Sequence, residues 1–266
     1  MSLISLLTDF GTRDEYAGVM KAVIWGIAPR SQIVDISHQV GPQDIHQAAF
    51  LLEAAYPYFP AGSIHLAVVD PGVGSRRRIV AMGFKGQHFI APDNGLLAAI
   101  LKGGRPDTLV EVNQATFFLP GMSRTFHGRD IFAPVAAHLA SGTAVDELGT
   151  QLAAEQLERL SLPPDPVIRL GEIRGAIVQV DHFGNLTTNI GQRQFEEACA
   201  PSDGTRMMVQ VGGRRIQGLC ACYAEVAVGR PLALMGSRAL LEIAVNQGSA
   251  RRHFGASRGD EVRVVW

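Results

Sequence analysis

Ile64-His65-Leu66-Ala67-Val68-Val69 runs directly into Asp70-Pro71-Gly72 in the first third of the chain. An almost continuous apolar run of this length is typical of a strand buried on both faces, and the Pro-Gly pair ends it abruptly. Such strands belong to helix-covered sheets, which bind ligands at the carboxyl ends of their strands. The stretch therefore predicts an α/β fold with a candidate site at Asp70.

Short apolar runs alternate with helical periodicity on both sides of this stretch. The alternation is typical of a mainly parallel sheet covered by helices. The predicted strands are 4–8, 33–36, 64–69, 79–84, 88–91 and 108–112, and the predicted helices are 16–27, one around 45–52, 96–101 and 131–141.

The Leu162-Pro163-Pro164-Asp165-Pro166 segment can continue neither a helix nor a central strand, and the periodicity changes across it. We therefore predict an α/β domain over 1–160, a Pro-rich linker over 161–168 and a smaller β domain over 169–266. Strand patterns with Gly-containing turns and hardly any helical stretch favour a small β-barrel or sandwich for the last part. Its predicted strands are 176–180, 207–211, 232–235, 240–245 and 262–266.

Composition and charge narrow the class of protein. With 47% hydrophobic and 18% charged residues, the 266-residue chain is too apolar for disorder and long enough for two domains. Its formal net charge of −1 lacks the basic excess that drives binding to nucleic acid. The apolar opening segment is interrupted by Asp9 before it reaches the length of a signal or membrane segment. We predict a soluble, cytoplasmic-type protein with neither nucleic acid nor membrane as a partner.

The three cysteines, Cys199, Cys220 and Cys222, are too few for a disulfide framework. Cys220 and Cys222 could ligate a metal, but no second pair at ligand spacing accompanies them. We interpret all three as structural thiols, and we predict no metal site.

A first polar cluster, Thr8-Asp9-Phe10-Gly11-Thr12, follows the first predicted strand. An aspartate between the carboxyl end of a strand and a helix can accept hydrogen bonds from both ribose hydroxyls. The alternative for Asp9 is a turn or helix-cap role.

A second cluster covers 70–78, with Asp70 at the strand end and the run Arg76-Arg77-Arg78 after a glycine-rich turn. The glycines match neither the dinucleotide fingerprint nor the Walker form, so phosphate binding is weakly supported. The stronger feature is an acid followed through a turn by an arginine, because both can face one pocket. A solvated loop is the alternative.

A third cluster, Thr125-Phe126-His127-Gly128-Arg129-Asp130, directly precedes a predicted helix. Of the eight histidines, only His127 lies among Gly, Arg and Asp. The ordinary pKa of histidine, about 6.5, suits a general base near neutrality. Asp130 could simply cap the helix that follows.

A fourth cluster covers 181–189 in the β domain and is paired with Gly236-Ser237-Arg238. Phe183 could stack on a purine while Asn185 hydrogen-bonds the edge of that base. Ser237 and Arg238 could bind a carboxylate. Hairpin turns without a ligand are the alternative.

Taken together, five motifs resemble the S-adenosylmethionine (SAM) hydroxide adenosyltransferase family, which is related to the fluorinase and chlorinase enzymes. The resemblance covers nearly the whole chain, with the motifs in the family's order. They are Leu7-Thr8-Asp9-Phe10-Gly11, Val69-Asp70-Pro71-Gly72-Val73-Gly74, Pro92-Asp93-Asn94-Gly95-Leu96, Phe126-His127-Gly128-Arg129-Asp130 and Phe183-Gly184-Asn185.

The resemblance implies an N-terminal Rossmann-like α/β domain followed by a C-terminal β-barrel-like domain. It implies a homotrimer, with the nucleoside bound between the N-terminal domain of one subunit and the C-terminal domain of the next. The implied reaction is attack of water or hydroxide on the ribose C5′ of SAM, which yields adenosine and methionine. SAM is then the substrate, and neither a cofactor nor a metal is expected.

The family's catalytic Asp, Arg and His correspond to Asp70, Arg77 and His127 by this resemblance. Water is a poor nucleophile at neutral pH, whereas a sulfonium leaves without acid catalysis, so activation of water is the chemical problem. We assign His127 as the base, Arg77 as the cation that favours developing hydroxide, and Asp70 as the group that orients the water.

The resemblance also implies the substrate contacts. Asp9 is expected to hold the ribose hydroxyls, and the remaining positions bind adenine, methionine or the reacting centre. Thr187 stands where halogenating relatives carry a tryptophan near the methionine. The expected contacts beyond Asp9 are Phe126, Gly128, Asp181, Phe183, Asn185, Ser237 and Arg238.

Three other functions stay open at this point. A SAM-dependent, chlorinase-like halogenase is disfavoured by the carboxylate of Asp70, since like charges repel strongly at low dielectric. A non-catalytic SAM- or adenosine-binding protein would not need Asp70, Arg77 and His127 together. A nucleotide phosphatase using the Gly72-Val73-Gly74 turn would require a divalent ion.

Overall fold

The computed structural model describes residues 2–199 and 207–266. The chain forms two compact units, Met1–Leu162 and Pro163–Trp266, so the division falls inside the proline-rich segment. Within the described residues, none of the helices combines the length and hydropathy that a membrane crossing requires.

The first unit is built on a seven-stranded sheet in the order β2-β1-β3-β5-β4-β6-β7. Four helices accompany it: α1 (Tyr16–Ile27), α2 (Ile45–Ala55), α3 (Ala98–Leu101) and α4 (Ala133–Ala140). The strands are β1 (Leu3–Thr8), β2 (Gln32–Ser37), β3 (Ile64–Val68), β4 (Ile79–Phe84), β5 (Gln87–Pro92), β6 (Thr108–Val112) and β7 (Gly149–Gln151).

The apolar run that precedes Asp70 forms the central strand β3, which is buried along its whole length. Leu66 packs into one hydrophobic cluster, together with Met20 of α1 and Phe132. Ala67, the next residue, packs into a second cluster on the other face, together with Leu52 of α2. The prediction of a strand covered on both faces is therefore confirmed.

The expectation of a mainly parallel sheet is wrong for half of this sheet. β1 pairs in parallel with β2 and β3, and β3 with β5, but the remaining three pairs are antiparallel. For β4 and β5 the cause is the two-residue connection Lys85-Gly86, whose φ angles of 49° and 74° are those of a tight hairpin turn. Two residues can join only antiparallel strands, since a parallel pair needs a long crossover.

The second unit is an antiparallel, nearly closed barrel in the order β12-β11-β15-β9-β10-β14-β13, with β8 added to β9. The edges approach each other just past β12, where the Cys220 amide donates to the Ala233 carbonyl of β13 at 2.8 Å. The predicted β-barrel-like domain is confirmed. Its strands are β8 (Val167–Arg169), β9 (Glu172–Val180), β10 (Leu186–Gly191), β11 (Met208–Val211), β12 (Arg214–Gln217), β13 (Pro231–Met235), β14 (Leu240–Val245) and β15 (Glu261–Val265).

Sequence patterns missed five elements of the second unit, of which two are the short strands β8 and β12. Helix α5 (Gln192–Cys199) buries only Phe195 and Cys199, too few for a periodic signal. Helix α6 (Ala250–Phe254) is a single short stretch. Strand β10 begins within the polar 181–189 cluster, whose side chains do not suggest a buried strand. Thr188 is nevertheless buried in it, because its hydroxyl donates to the Leu241 carbonyl at 2.9 Å.

Candidate active site

Asp70 and Arg77 form a buried ion pair at the carboxyl end of β3. Arg77 Nε lies 3.0 Å from Asp70 Oδ1 and 2.9 Å from Oδ2, and Arg77 Nη2 lies 2.5 Å from Oδ2. The side chains are only 5% and 11% exposed respectively, so solvent screens the pair weakly. The acid and arginine singled out in the second cluster are thus brought together.

Arg77 also donates from Nη2 to Nδ1 of His127, at 2.8 Å. Because a guanidinium can only donate, the bond requires a lone pair on Nδ1 and places the proton of the neutral ring on Nε2. Burial lowers the pKa of His127, and the Arg77 charge lowers it further, against opposing effects of Asp70 and Asp130. The arrangement therefore favours a neutral imidazole that presents an N–H group at Nε2.

His127 directly precedes a π-helical turn, Gly128–Phe132, that leads into α4. Such turns are rare in proteins overall, and those that occur are often found at functional sites. Asp130 does not cap the helix; its carboxylate accepts from the Ser123 amide at 2.8 Å and from Arg129 Nε at 2.6 Å. Asp130 therefore ties the segment before His127 to the turn that follows it.

The loop carrying Asp70 and Arg77 touches this segment through Gly74. Gly74 has a φ of 76°, and a Cβ atom there would overlap the carbonyl oxygen of Arg124. Only glycine fits both constraints without strain. The glycine at position 74 thus allows the backbone of this loop to pack directly against the backbone of Arg124, close to His127.

Phe126 and Gly128 lie against an aromatic cluster that includes Phe10 and Tyr16. The Phe126 ring centroid is 5.0 Å from that of Tyr16 and 6.0 Å from that of Phe10. A Cβ on Gly128 would approach a Phe126 ring carbon to 3.1 Å, so any larger residue at this position requires the surrounding side chains to shift. Tyr16 was not a predicted site residue, since its pattern is that of the first residue of an ordinary helix.

Asp9 follows β1, and its Oδ2 accepts from the backbone amide of Gln43 at 2.8 Å. The carboxylate therefore fixes the loop that contains Gln43, which agrees with the turn role that the sequence left open for Asp9. Each carboxylate oxygen has two acceptor sites, so the same group can still receive a ribose hydroxyl.

In the second unit, Asp181 and Asn185 face each other across a tight turn. Asp181 accepts from the Asn185 amide N–H at 2.8 Å and from Asn185 Nδ2 at 3.0 Å. Phe183, between them, is 73% exposed, whereas Asn185 is buried. Ser237 and Arg238 are exposed in the turn between β13 and β14.

Tyr223 and Glu242 form a polar pair that sequence reasoning missed. Tyr223 donates its hydroxyl to Glu242 Oε1 at 2.6 Å, and this bond is the largest cause that raises the pKa of Tyr223 to about 12. Burial raises the pKa of Glu242; Asp181 raises it further and Arg238 opposes the shift. The one available signal was a single glutamate in the apolar run of β14.

Cys220 and Cys222 lie in the loop after β12 rather than in a strand, and Cys222 is exposed while Cys199 is buried. Over the described ranges 2–199 and 207–266, no three or more His, Cys, Asp or Glu side chains group so that they could hold a metal ion.

An α/β unit with a partly buried Asp–Arg–His cluster at the end of an interior strand, together with an antiparallel barrel unit, defines the class of this protein. The family described as the SAM hydroxide adenosyltransferase N-terminal domain matches residues 4–149, and its C-terminal counterpart matches 175–263. The chain belongs to the SAM hydroxide adenosyltransferase family, which confirms the resemblance seen in the motifs.

Known proteins agree with this assignment over full length. The chain is 41% identical to an (R)-S-adenosyl-L-methionine hydrolase of Thermus thermophilus, covering 100% of both chains. It is 26% identical to a fluorinase of Actinoplanes, over 99% of this chain and 97% of the relative. A crystal structure of an uncharacterized conserved protein from Thermotoga maritima superimposes with a TM-score of 0.92 at 36% identity, over 99% of this chain and 100% of that one.

Proposed function

We propose that this protein hydrolyses S-adenosyl-L-methionine to adenosine and L-methionine by substitution at the ribose C5′ carbon. The observation that carries the proposal is the Asp70–Arg77–His127 cluster, hydrogen-bonded and partly buried, in a chain 41% identical to a curated SAM hydrolase. Binding alone needs no such set of acid, cation and imidazole.

The bond changes are simple. The water oxygen forms a bond to C5′, the C5′–S bond breaks, and its electron pair neutralises the sulfonium to give the thioether of methionine. One proton leaves the attacking water. Since the leaving group needs no acid, the protein has to orient the water, stabilise developing hydroxide and receive that proton.

The geometry supports a revision of the individual roles. The Arg77 bond occupies Nδ1 of His127, so His127 can act as the base predicted from sequence only after that bond is released. As arranged, His127 donates from Nε2 to the attacking oxygen, Arg77 supplies positive charge, and Asp70 accepts the proton. An aspartate suffices for this because the oxygen becomes strongly acidic as it bonds to C5′.

The substrate contacts remain those implied by the family motifs. Asp9, Phe126 and Gly128 serve the ribose and reacting centre, and the exposed ring of Phe183 can stack on adenine beside Asn185. Asp181 binds the methionine ammonium group, while Ser237 and Arg238 bind its carboxylate.

The proposal includes the assembly and location implied by the resemblance. The active form is a homotrimer whose substrate site lies at a subunit interface, and it acts in the cytoplasm without a cofactor. Sedimentation with and without substrate measures the assembly; a monomer that turns over SAM contradicts it.

The test is incubation of purified protein with SAM in EDTA, with and without chloride, followed by identification of the nucleoside by chromatography and mass. Both sulfonium epimers are supplied, because the curated relatives are named for the R form. Adenosine and methionine in all samples, abolished by Asp70→Asn and by His127→Ala, are expected.

Other products decide against the proposal. A 5′-chloro nucleoside moves the protein to the halogenases, and bound but unconverted SAM makes it a binding protein. Loss of turnover in EDTA implicates a divalent ion.

A further inference from the structure

Asp93 and Asn94, in a motif that carried the resemblance but received no role, follow directly on strand β5. β5 lies between β3 and β4 in the sheet. The loop 70–77 leaves β3 after Val69 and enters β4 after Arg78, so its two ends flank the end of β5.

Asn94 binds the first end of the loop. Its Nδ2 donates to the carbonyl oxygen of Val69 at 2.9 Å, and its Oδ1 accepts from the Leu96 amide at 3.2 Å. The carbonyl held in this way belongs to the residue immediately before Asp70.

Asp93 binds the second end. Its amide donates to the Arg78 carbonyl at 2.9 Å, and its Oδ2 accepts from Arg78 Nε at 2.8 Å. Its Oδ1 accepts from the Glu158 amide at 2.8 Å, and the side chain is only 3% exposed. The residue held in this way is the one immediately after Arg77.

Between these anchors, the loop is held by the Asp70–Arg77 ion pair, by the Arg77–His127 bond and by the approach of Gly74 to Arg124. Pro71, Val73, Ser75 and Arg76 are exposed, and its internal hydrogen bonds are those of short turns, such as Val73 N–H to Asp70 O at 3.2 Å. A solvent-exposed loop with few buried contacts takes its geometry from its ends.

We propose that Asp93 and Asn94 form a two-residue clamp that sets the separation of Asp70 and Arg77, and thereby keeps Arg77 within reach of His127. Both are positioning residues, since they act through the neighbours of the catalytic groups. The inference rests on the proposed function for its effect on turnover, but not for its effect on the His127 ring.

Asn94→Asp is the sharpest test, because it keeps the side-chain size and the acceptor for Leu96 while it replaces the donor that faces the Val69 carbonyl. A misplacement of about 1 Å in a catalytic group can cost about 100-fold in rate. We expect kcat to fall by about that factor with KM changed less than about threefold. The matched control is Asn113→Ala, which removes an amide bonded to Thr150 Oγ1 at 2.9 Å in the same unit and is expected to leave kcat within about twofold.

Two further readouts separate positioning from folding. When Asp70→Asn is already present, adding Asn94→Ala is expected to lower kcat little further, because the effects of residues that act as a unit are not additive. By NMR, the His127 ring is expected to titrate at higher pH in Asn94→Ala, which adds no charge of its own, since withdrawal of the Arg77 charge removes one cause of its lowered pKa. Asp70 and Asp130 also face this ring.

Unchanged kcat together with an unchanged His127 titration overturns the clamp. It is also overturned if Asn94→Ala lowers kcat by the same factor in the Asp70→Asn variant as in the wild type. A wild-type protein that fails to hydrolyse SAM overturns the proposed function instead. In that case the His127 titration still decides the clamp.

Discussion

Nη2 of Arg77 lies 2.8 Å from Nδ1 of His127, a residue 50 positions further along the chain. The same nitrogen also donates to Asp70, so one guanidinium joins the acid and the imidazole. Since the arginine can only donate, this contact fixes the tautomer of His127 and keeps its Nε2 proton available to a ligand.

Replacing Arg77 tests whether this bridge or only its charge matters. Arg77→Lys keeps a cation but loses the planar fork that reaches two partners at once. We expect kcat to fall by at least about 100-fold, as for loss of one aligned donor to a developing anion. Arg76→Lys, at the exposed neighbouring position, is the control and should stay within about twofold. Near wild-type kcat in Arg77→Lys contradicts the bridge.

Replacing His127 separates a donor from a base. Glutamine carries an N–H donor but cannot take up a proton near neutral pH, whereas alanine offers neither. If His127 donates through Nε2, His127→Gln retains at least about tenfold more activity than His127→Ala. Single-turnover rates measure the difference. If the two variants are equally inactive, a donor at this position is not sufficient and His127 acts as the base instead.

The pH dependence follows from the lowered pKa of His127. Burial and Arg77 disfavour the imidazolium, so the ring stays neutral to a pH below the ordinary histidine value of 6.5. Activity is therefore expected to hold as pH falls through 6.5 and to decline only below it, when protonation of Nδ1 displaces Arg77. In Arg77→Gln the ring should titrate at higher pH, as NMR would measure. A shift to lower pH contradicts the electrostatic cause.

Gly74→Ala tests the close approach of the loop to Arg124. An alanine at positive φ costs about 1 kcal/mol wherever it occurs. Gly62 has a φ of 80° with nothing within 4 Å of a Cβ, so Gly62→Ala is expected to lose only that amount. Gly74→Ala must also displace the Arg124 carbonyl, so both the free energy of unfolding and kcat should fall further. Equal losses in the two variants, measured by urea unfolding, contradict the steric account.

His65 makes the fold sensitive to acid. It is fully buried, its Nδ1 lies 2.7 Å from Ser5 Oγ and its Nε2 2.6 Å from Gln87 Oε1, and burial lowers its pKa to about 4. The unfolded chain takes up this proton near pH 6.5 and the folded chain only near 4. Stability is therefore complete above pH 6.5 and falls between 6.5 and 4, by roughly 3 kcal/mol.

His65→Gln removes this titration and should flatten the dependence of the free energy of unfolding on pH, whatever its effect at pH 7.5. Urea unfolding at pH 7.5, 6.0 and 4.5 measures the slope. His182→Gln, at an exposed position, serves as the control. A slope as steep as that of the wild type in His65→Gln assigns the acid sensitivity to other groups.

Local pattern predicted much of the fold. The run 64–69, helix α1 and the pair β4 and β5 were all readable, because their side-chain periodicity reflects burial directly. Strand β10 was not readable, since its polar Thr188 is buried against a partner distant in sequence. Helix α5 was not readable either, since it has too few buried apolar residues to show a period. Tyr223 was missed for the same reason as β10, since its partner Glu242 lies on another element.

The sequence by itself determined which residue types are available and where strands end: Asp70 after an apolar run, Arg77 after a turn, His127 before a helix. Only the tertiary structure decided that these three meet, that Nδ1 rather than Nε2 of His127 accepts the hydrogen bond from Arg77, and that Asp93 and Asn94 hold both ends of the loop between them. The physical reason is that secondary structure follows from local burial, whereas hydrogen-bond partners and desolvation are set by groups that the chain brings together only on folding.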